Sequence, residues 1–461
     1  MTRLDEVAER LRVRLPGLAE ENGVPGVAVA VGIGGDLAEE AAGVLSTATG
    51  VEATVDSVFQ IGSVTKVLTA TLAMQLVVEG SIELDAPVDA YLPGFRAGFP
   101  EVTVRQLMSH TAGFEGDVFT DTGKGDDCLA PYVDLLAEMP QIFRPGAMFS
   151  YNNAGYSVLG RIIEVVRGRP FDACMRDHLF TPLGMTHAAN DPYEAILHRA
   201  AVGHLGGRPS PVWAMARSNA PAGSMLAMTA RDLVAFARAH LADESLRVMR
   251  EPQVTLPDIG WGTAWGLGWE LYDLPGGLVF GHDGNTIGQS AILRVDPARE
   301  VVVVVLTNGG NPKPLREEIS GWVLEQPEKP VPDPAARPDA RRVAGTYVSS
   351  TSRTTVSEDA EGRLWLDQVP LGIAAELGDE PFRTELVGWR GDALLPVAPG
   401  RGPVAFLGDD GRGRALYLHT GRADVRSGAP SDVRADARAD ARADVPADAR
   451  AAVCAPGRNG G

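Results

Sequence analysis

The chain has 461 residues, a formal net charge of −18 and 44% hydrophobic residues. That length exceeds one ordinary core, so two folded units are expected, and the balanced composition argues against disorder throughout. The acidic balance, with a pI near 4.9, disfavours nucleic acid and anionic membrane surfaces as partners. Cys128, Cys174 and Cys454 are widely spaced and odd in number, which suits neither a disulfide framework nor a zinc site.

The chain opens M-T-R-L-D-E-V-A-E-R, with no apolar signal-peptide core, so a cytoplasmic protein is expected. The longest aliphatic run, Val301–Leu306, is far short of the ~20 residues that span a bilayer. Leu4, Val7 and Leu11 sit at helical spacing within residues 3–15. Residues 24–34 read as a buried strand, and 41–45 as a second one. Residues 63–80 are expected to form an apolar helix ending at Gly80. Helical stretches follow at 154–168 and 230–241. Residues 289–295 and 301–307 form a hairpin across the turn D-P-A-R, and a helix at about 314–325 ends the unit. This order predicts an α+β fold: an antiparallel sheet flanked by helices, with a helical lobe inserted. Residues 327–340 are a Pro-rich linker. Short alternating segments at 345–349, 364–367, 404–407 and 415–419 predict a small all-β, barrel-like domain. From 421 the chain repeats Asp, Ala and Arg with little to bury, and the tail 421–461 is expected to be disordered.

One constellation carries chemistry. Residues 58–66 read V-F-Q-I-G-S-V-T-K, with Ser63 and Lys66 three apart at a helix start. A serine hydroxyl needs an adjacent base, and residues at that spacing share a helix face. Burial and the helix N-terminus would both favour a neutral Lys66 amine, while the Ser63 amide would point at a developing oxyanion. F-S-Y-N-N-A-G-Y at 149–156 adds Tyr151, a phenol able to relay protons, and Asn153, a carboxamide able to hold a substrate amide. G-H-D-G-N-T-I-G at 281–288 adds His282, which could orient a carboxylate, shuttle a proton or simply be structural. Gly284 in the same stretch would let a substrate backbone approach closely.

Taken together these segments resemble the serine β-lactamase and penicillin-binding-protein superfamily. The branch most resembled holds class C β-lactamases, D-alanyl-D-alanine carboxypeptidases and esterases. Ser63–Lys66, Tyr151-Asn152-Asn153 and His282-Asp283-Gly284 match its three motifs in order. L-M-S-H-T-A-G-F at 107–114 and W-G-L-G-W at 265–269 are further family-like stretches. The resemblance spans about residues 20–325 and implies a β-lactamase/transpeptidase-like catalytic domain over 1–326. It implies a double displacement in which Lys66 and Tyr151 activate Ser63, with backbone amides of Ser63 and Asn285 stabilising the oxyanion. Tyr151 or His282 then protonates the leaving group, and the scheme needs no metal or cofactor. His282 stands where most β-lactamases carry lysine, which moves the likeness toward esterases, D-amino-acid peptidases and acyltransferases.

Residues 341–420 resemble the lipocalin-like domain appended to some members of this superfamily. That pairing is similar to penicillin-binding-protein-type thioesterases, which release and cyclise nonribosomal peptides from a carrier protein, and to amide-forming transacylases. The expected substrate is a peptidyl or acyl (thio)ester or amide, free or carrier-bound, and hydrolysis or aminolysis both stay open. The Gly- and Asp-rich stretch 116–128 is either an ordinary polar loop or a cleft-mouth loop whose Asp126 and Asp127 meet a basic substrate. A non-catalytic sensor on the same fold is disfavoured, because Ser63, Lys66 and Tyr151 are all present.

Overall fold

A computed structural model describes residues 2–428 except 97, 98, 100, 337 and 377. Among the described residues two compact units emerge: residues within 2–141, 151–253 and 260–330 form one, and those within 142–150, 254–259 and 331–428 form the other.

The first unit begins with α1 (Arg3–Glu21). Thr2 caps it: the Thr2 hydroxyl accepts from the Asp5 amide while the Asp5 carboxylate accepts from the Thr2 amide. Its buried residues Val7, Leu11, Leu15 and Leu18 recur every three or four positions and form one stripe. The sheet in this unit contains β1 (Gly26–Ile33), β2 (Asp36–Gly43), β3 (Ala264–Trp265), β4 (Glu270–Leu274), β5 (Gly277–Asn285), β6 (Ser290–Asp296) and β7 (Val301–Thr307). Their spatial order is β2-β1-β7-β6-β5-β4-β3. Neighbouring strands β2 to β1, β1 to β7 and β7 to β6 are all antiparallel.

Both faces of the sheet are covered, so β1 and β7 read as continuous apolar runs. Val27, Val29, Val31, Val303 and Val305 pack with the α1 stripe and with Leu315 and Ile319 of the terminal helix Pro312–Gly321. Ala28, Ala30, Val302, Val304 and Leu306 join the other core. That core also takes Leu68 and Leu72 from α2 (Thr65–Val78), Leu159 and Ile162 from α3 (Asn153–Arg167), and Leu233 and Phe236 from α4 (Ala230–Ala242). The Pro312–Gly321 helix is α5. Among the described residues, no helix is long and apolar enough to cross a membrane.

Three local expectations shift. The second strand runs over Asp36–Gly43 rather than 41–45. It is the outer strand of the sheet, and its half-exposed D-L-A-E-E stretch carries no apolar alternation to read. The expected helix at 63–80 is a 3₁₀ turn, Gly62–Val64, followed by α2. The third catalytic motif lies within a strand, β5, that propensity alone did not mark out.

The second unit is a closed barrel of eight strands in chain order. They are β8 (Gly345–Val348), β9 (Ser352–Glu358), β10 (Leu364–Pro370), β11 (Phe382–Arg390), β12 (Ala393–Pro396), β13 (Val404–Leu407), β14 (Tyr417–His419) and β15 (Ala423–Arg426). Tyr347, Val356, Leu366, Leu386, Leu394, Phe406 and Leu418 fill a core within it. The boundary expected at residue 420 is wrong, because β15 pairs with both β14 and β8 and closes the ring. Closure explains the error: a strand with two neighbours needs few large apolar residues to be held. Residues 429–461 of the expected tail, with Cys454, lie outside the described residues. The unit is also discontinuous in sequence. Phe143, from the segment 142–150, packs with Leu416, Tyr417, Ala423 and Val425, and the Phe149 carbonyl lies 2.8 Å from His419 Nε2.

Arg426 is 4% exposed and donates to the carbonyls of Ala415, Ala344 and Arg342 and to the Tyr347 hydroxyl. Arg426→Met would leave these acceptors buried without a donor and should cost roughly 2–4 kcal/mol. Chemical denaturation followed by tryptophan fluorescence measures this, and an unchanged midpoint would contradict β15 as the closing strand.

Candidate active site

Ser63 sits in the 3₁₀ turn that opens α2, half-buried, with Lys66 one turn on and fully buried. Lys66 Nζ donates to Ser63 Oγ at 3.0 Å and to the Ala222 carbonyl at 2.6 Å. It also lies 4.8 Å from the ring centre of Tyr151 and 5.8 Å from that of Tyr156. Two aromatic faces and a carbonyl thus lie around an amine that reaches the Ser63 hydroxyl.

The Ser63 turn is wedged among backbones that only glycine allows so close. A Cβ on Gly284 would fall 1.9 Å from the Ile61 carbonyl oxygen and 3.1 Å from the Ser63 nitrogen. One on Gly223, at φ +112, would fall 2.2 Å from the Gly62 oxygen. One on Gly62, at φ +50, would meet Asn285 N at 2.7 Å. Gly284 therefore admits the nucleophile's own turn. The same packing brings the Asn285 backbone beside the Ser63 turn.

Tyr151 is 8% exposed. Its ring centre lies 4.3 Å from that of His110, 5.8 Å from Trp265, 6.0 Å from Trp261 and 6.1 Å from His282. His110 Nδ1 accepts from the Asn152 amide at 2.9 Å, which fixes the chain just beyond Tyr151. Asn152 caps α3 through Gly155 N, and its Nδ2 donates to the Phe114 carbonyl. Asn153 is buried in the first turn of α3, and its Nδ2 donates to Asp117 Oδ1 at 2.7 Å.

His282 and Gly284 share the β5 face of Phe280, which belongs to the helical-side core. His282 Nδ1 lies 2.6 Å from the Asp283 carbonyl. A carbonyl only accepts, so Nδ1 carries the proton and Nε2 bears a lone pair. Nε2 is buried and has no hydrogen-bond partner among the described residues. Burial pushes the His282 pKa down to about 3. The ring is neutral at physiological pH and offers an acceptor. A neutral ring with its lone pair on Nε2 is suited neither to holding a carboxylate as a cation nor to starting out as the acid for a leaving group. Asp283, on the opposite face, pairs with Arg294 at 2.5 Å and Arg316 at 3.6 Å.

The Gly- and Asp-rich loop is pinned rather than free. Arg217 donates to the Lys124 carbonyl at 2.6 Å and pairs with Asp126 at 2.8 Å and Asp172 at 2.7 Å. Asp126 is thus paired with Arg217 while its side chain stays exposed, as in an ordinary polar surface loop. Sequence reading missed His110, Trp261, Trp265, Asp117 and the Ala222 carbonyl. The stretches L-M-S-H-T-A-G-F and W-G-L-G-W signalled His110 and Trp265, whereas a backbone acceptor leaves no trace in side-chain chemistry.

A hydroxyl, a buried amine hydrogen-bonded to it and a phenol beside that amine define a serine acyl-enzyme site. The β-lactamase family profile matches residues 11–327. Penicillin-binding protein 4 of Amycolatopsis lactamdurans is 44% identical over 368 residues, covering 72% of this chain and 96% of the relative. Esterase EstB of Burkholderia gladioli is 32% identical over 228 residues, covering 46% of this chain and 56% of the relative. The crystal structure of SurE with D-Leu matches with a TM-score of 0.74 at 29% identity, over 92% of this chain and 99% of that one. The chain belongs to the β-lactamase family and is a serine hydrolase of the β-lactamase and penicillin-binding-protein type.

Two outcomes follow from this geometry. Gly284→Ala displaces the nucleophile turn and should slow acylation by an activated ester ~100-fold; a near-normal single-turnover rate would contradict the wedge. For His282, the ordinary pKa of 6.5 falls to about 3 in the fold. Between those values the unfolded chain binds a proton that the native state does not, so stability drops as pH falls through that window. His282→Gln should make the drop shallower in denaturation curves taken from pH 7 to 4, and an unchanged slope would contradict a neutral ring.

Proposed function

We propose that the enzyme transfers a peptidyl acyl group through Ser63 and delivers it to an amine, with peptide release and ring closure as the outcome. Lys66 takes the Ser63 proton as the oxygen bonds to the acyl carbon. The backbone amides of Ser63 and Asn285 receive the oxyanion. Tyr151 passes a proton to the departing group and regains one from Lys66, while Asn153 contacts the amide of the acyl donor. In the second half an amine forms the new bond to the acyl carbon as its proton passes through Tyr151 to Lys66, the bond from that carbon to the Ser63 oxygen breaks, and Lys66 returns the proton to the departing Ser63 oxygen.

The observation that carries this reading is His282 Nε2, a buried acceptor with no hydrogen-bond partner among the described residues, on a ring packed beside Tyr151 and Trp265. An acceptor there favours the N–H of an incoming amine and disfavours the free carboxylate of a carboxypeptidase substrate. The D-Leu in the SurE structure supports a D-configured residue in the donor or acceptor. A second reading, hydrolysis as a D-amino-acid carboxypeptidase, esterase or β-lactamase-like enzyme, draws on the names of relatives such as penicillin-binding protein 4 and EstB.

A peptidyl thioester carrying one D-residue and a free amino terminus separates the two. Mass spectrometry should show mainly the ring, lighter than the linear acid by one water. His282→Lys should shift the product toward the acid and improve KM for donors with a free carboxylate. Exclusive formation of the acid by the unaltered enzyme, from D- and L-donors alike, would reject transfer in favour of hydrolysis.

A further inference from the structure

Asp117 lies outside the motifs, yet its surroundings fix it closely. The Glu115 carboxylate accepts from the amides of Gly116 at 2.9 Å and Asp117 at 3.1 Å. The Gly116 carbonyl accepts from Ala154 N at 2.9 Å, and a Cβ on Gly116 would fall 2.7 Å from Asn152 Cα. Beyond Asp117, the Val118 carbonyl accepts from Tyr132 and Asn219, and the Thr120 carbonyl accepts from Ser218. Ser218 and Asn219 belong to the same short helix, Arg217–Ala222, whose last carbonyl holds Lys66. The loop is a strap between the Asn153 turn and the anchor of the lysine.

At its near end the Asp117 carboxylate receives Asn153 Nδ2 at 2.7 Å. A carboxamide has one donor side and one acceptor side, and either could face a substrate. An ionised carboxylate accepts only, so the flipped carboxamide would set oxygen against oxygen. We infer that Asp117 is a positioning residue that locks the orientation of the Asn153 carboxamide and thereby sets selectivity for an amide in the acyl donor. The inference rests on the proposed contact between Asn153 and that donor. With the orientation locked, a donor that offers an amide N–H and one that offers an ester oxygen at the same place meet a single fixed pattern. With it released, the carboxamide turns to suit either.

The test compares kcat/KM for a D-residue peptidyl thioester with that for its depsi analogue, in which the amide N–H next to the reacting residue is an ester oxygen. The unaltered enzyme should discriminate, and Asp117→Ala should lower the ratio roughly 10-fold. Asp117→Asn, which restores an acceptor but adds a donor, should give an intermediate ratio and serves if the alanine variant fails to fold. Because Asp117 acts through Asn153, Asp117→Ala added to Asn153→Ala should change the ratio no further. An unchanged ratio in both Asp117 variants, or independent effects in the double variant, would overturn the inference. An unchanged ratio in Asn153→Ala would instead overturn the donor contact beneath it, and the two failures are told apart by which variant is silent.

Discussion

The catalytic unit depends on one arrangement: a lysine buried to zero exposure whose amine touches a serine hydroxyl and a backbone carbonyl. An amine in such a place is costly unless each of its directions is answered. Ser63 Oγ, the Ala222 carbonyl and the faces of Tyr151 and Tyr156 are among the groups that answer them. Much of the neighbouring backbone follows from that demand. Gly223 lets the Ala222 segment reach the Ser63 turn, and Gly284 lets β5 do so from the other side. Gly268, at φ +89, brings its backbone against Ala70 and near the Lys66 carbonyl.

The sheet supplies the second constraint. Alternation along β5 sends His282 and Gly284 to the helical side and Asp283 to the arginines of β6 and α5. The Asp283 carbonyl fixes the His282 tautomer, and burial keeps the ring uncharged. The residue that replaces the family's usual lysine therefore differs in sign of behaviour as well as in charge. It is an acceptor where a donor would stand, and the proposed preference for an amine over a carboxylate rests on that inversion.

Legibility in the sequence followed physical rules. The stripe of α1, the valine runs of β1 and β7 and the hairpin between β6 and β7 were readable, because each buries residues at a fixed period. Strands such as β2 and β9 (S-R-T-T-V-S-E) were not, since half of each faces outward and is polar. Ser63, Lys66, Tyr151 and His282 were found because their side chains carry the chemistry. The Ala222 carbonyl, the locking role of Asp117 and the protonation state of His282 depend on neighbours distant in the chain, which no local pattern encodes.

The central claim is that Ser63, activated by Lys66, becomes acylated. Its most direct test is intact-mass analysis with peptide mapping after brief exposure to an activated peptidyl ester or a β-lactam. The account predicts a single adduct of the acyl mass on the peptide containing Ser63, absent from Ser63→Ala and slowed by orders of magnitude in Lys66→Ala. An adduct on another residue, or one equally abundant in Ser63→Ala, would contradict it.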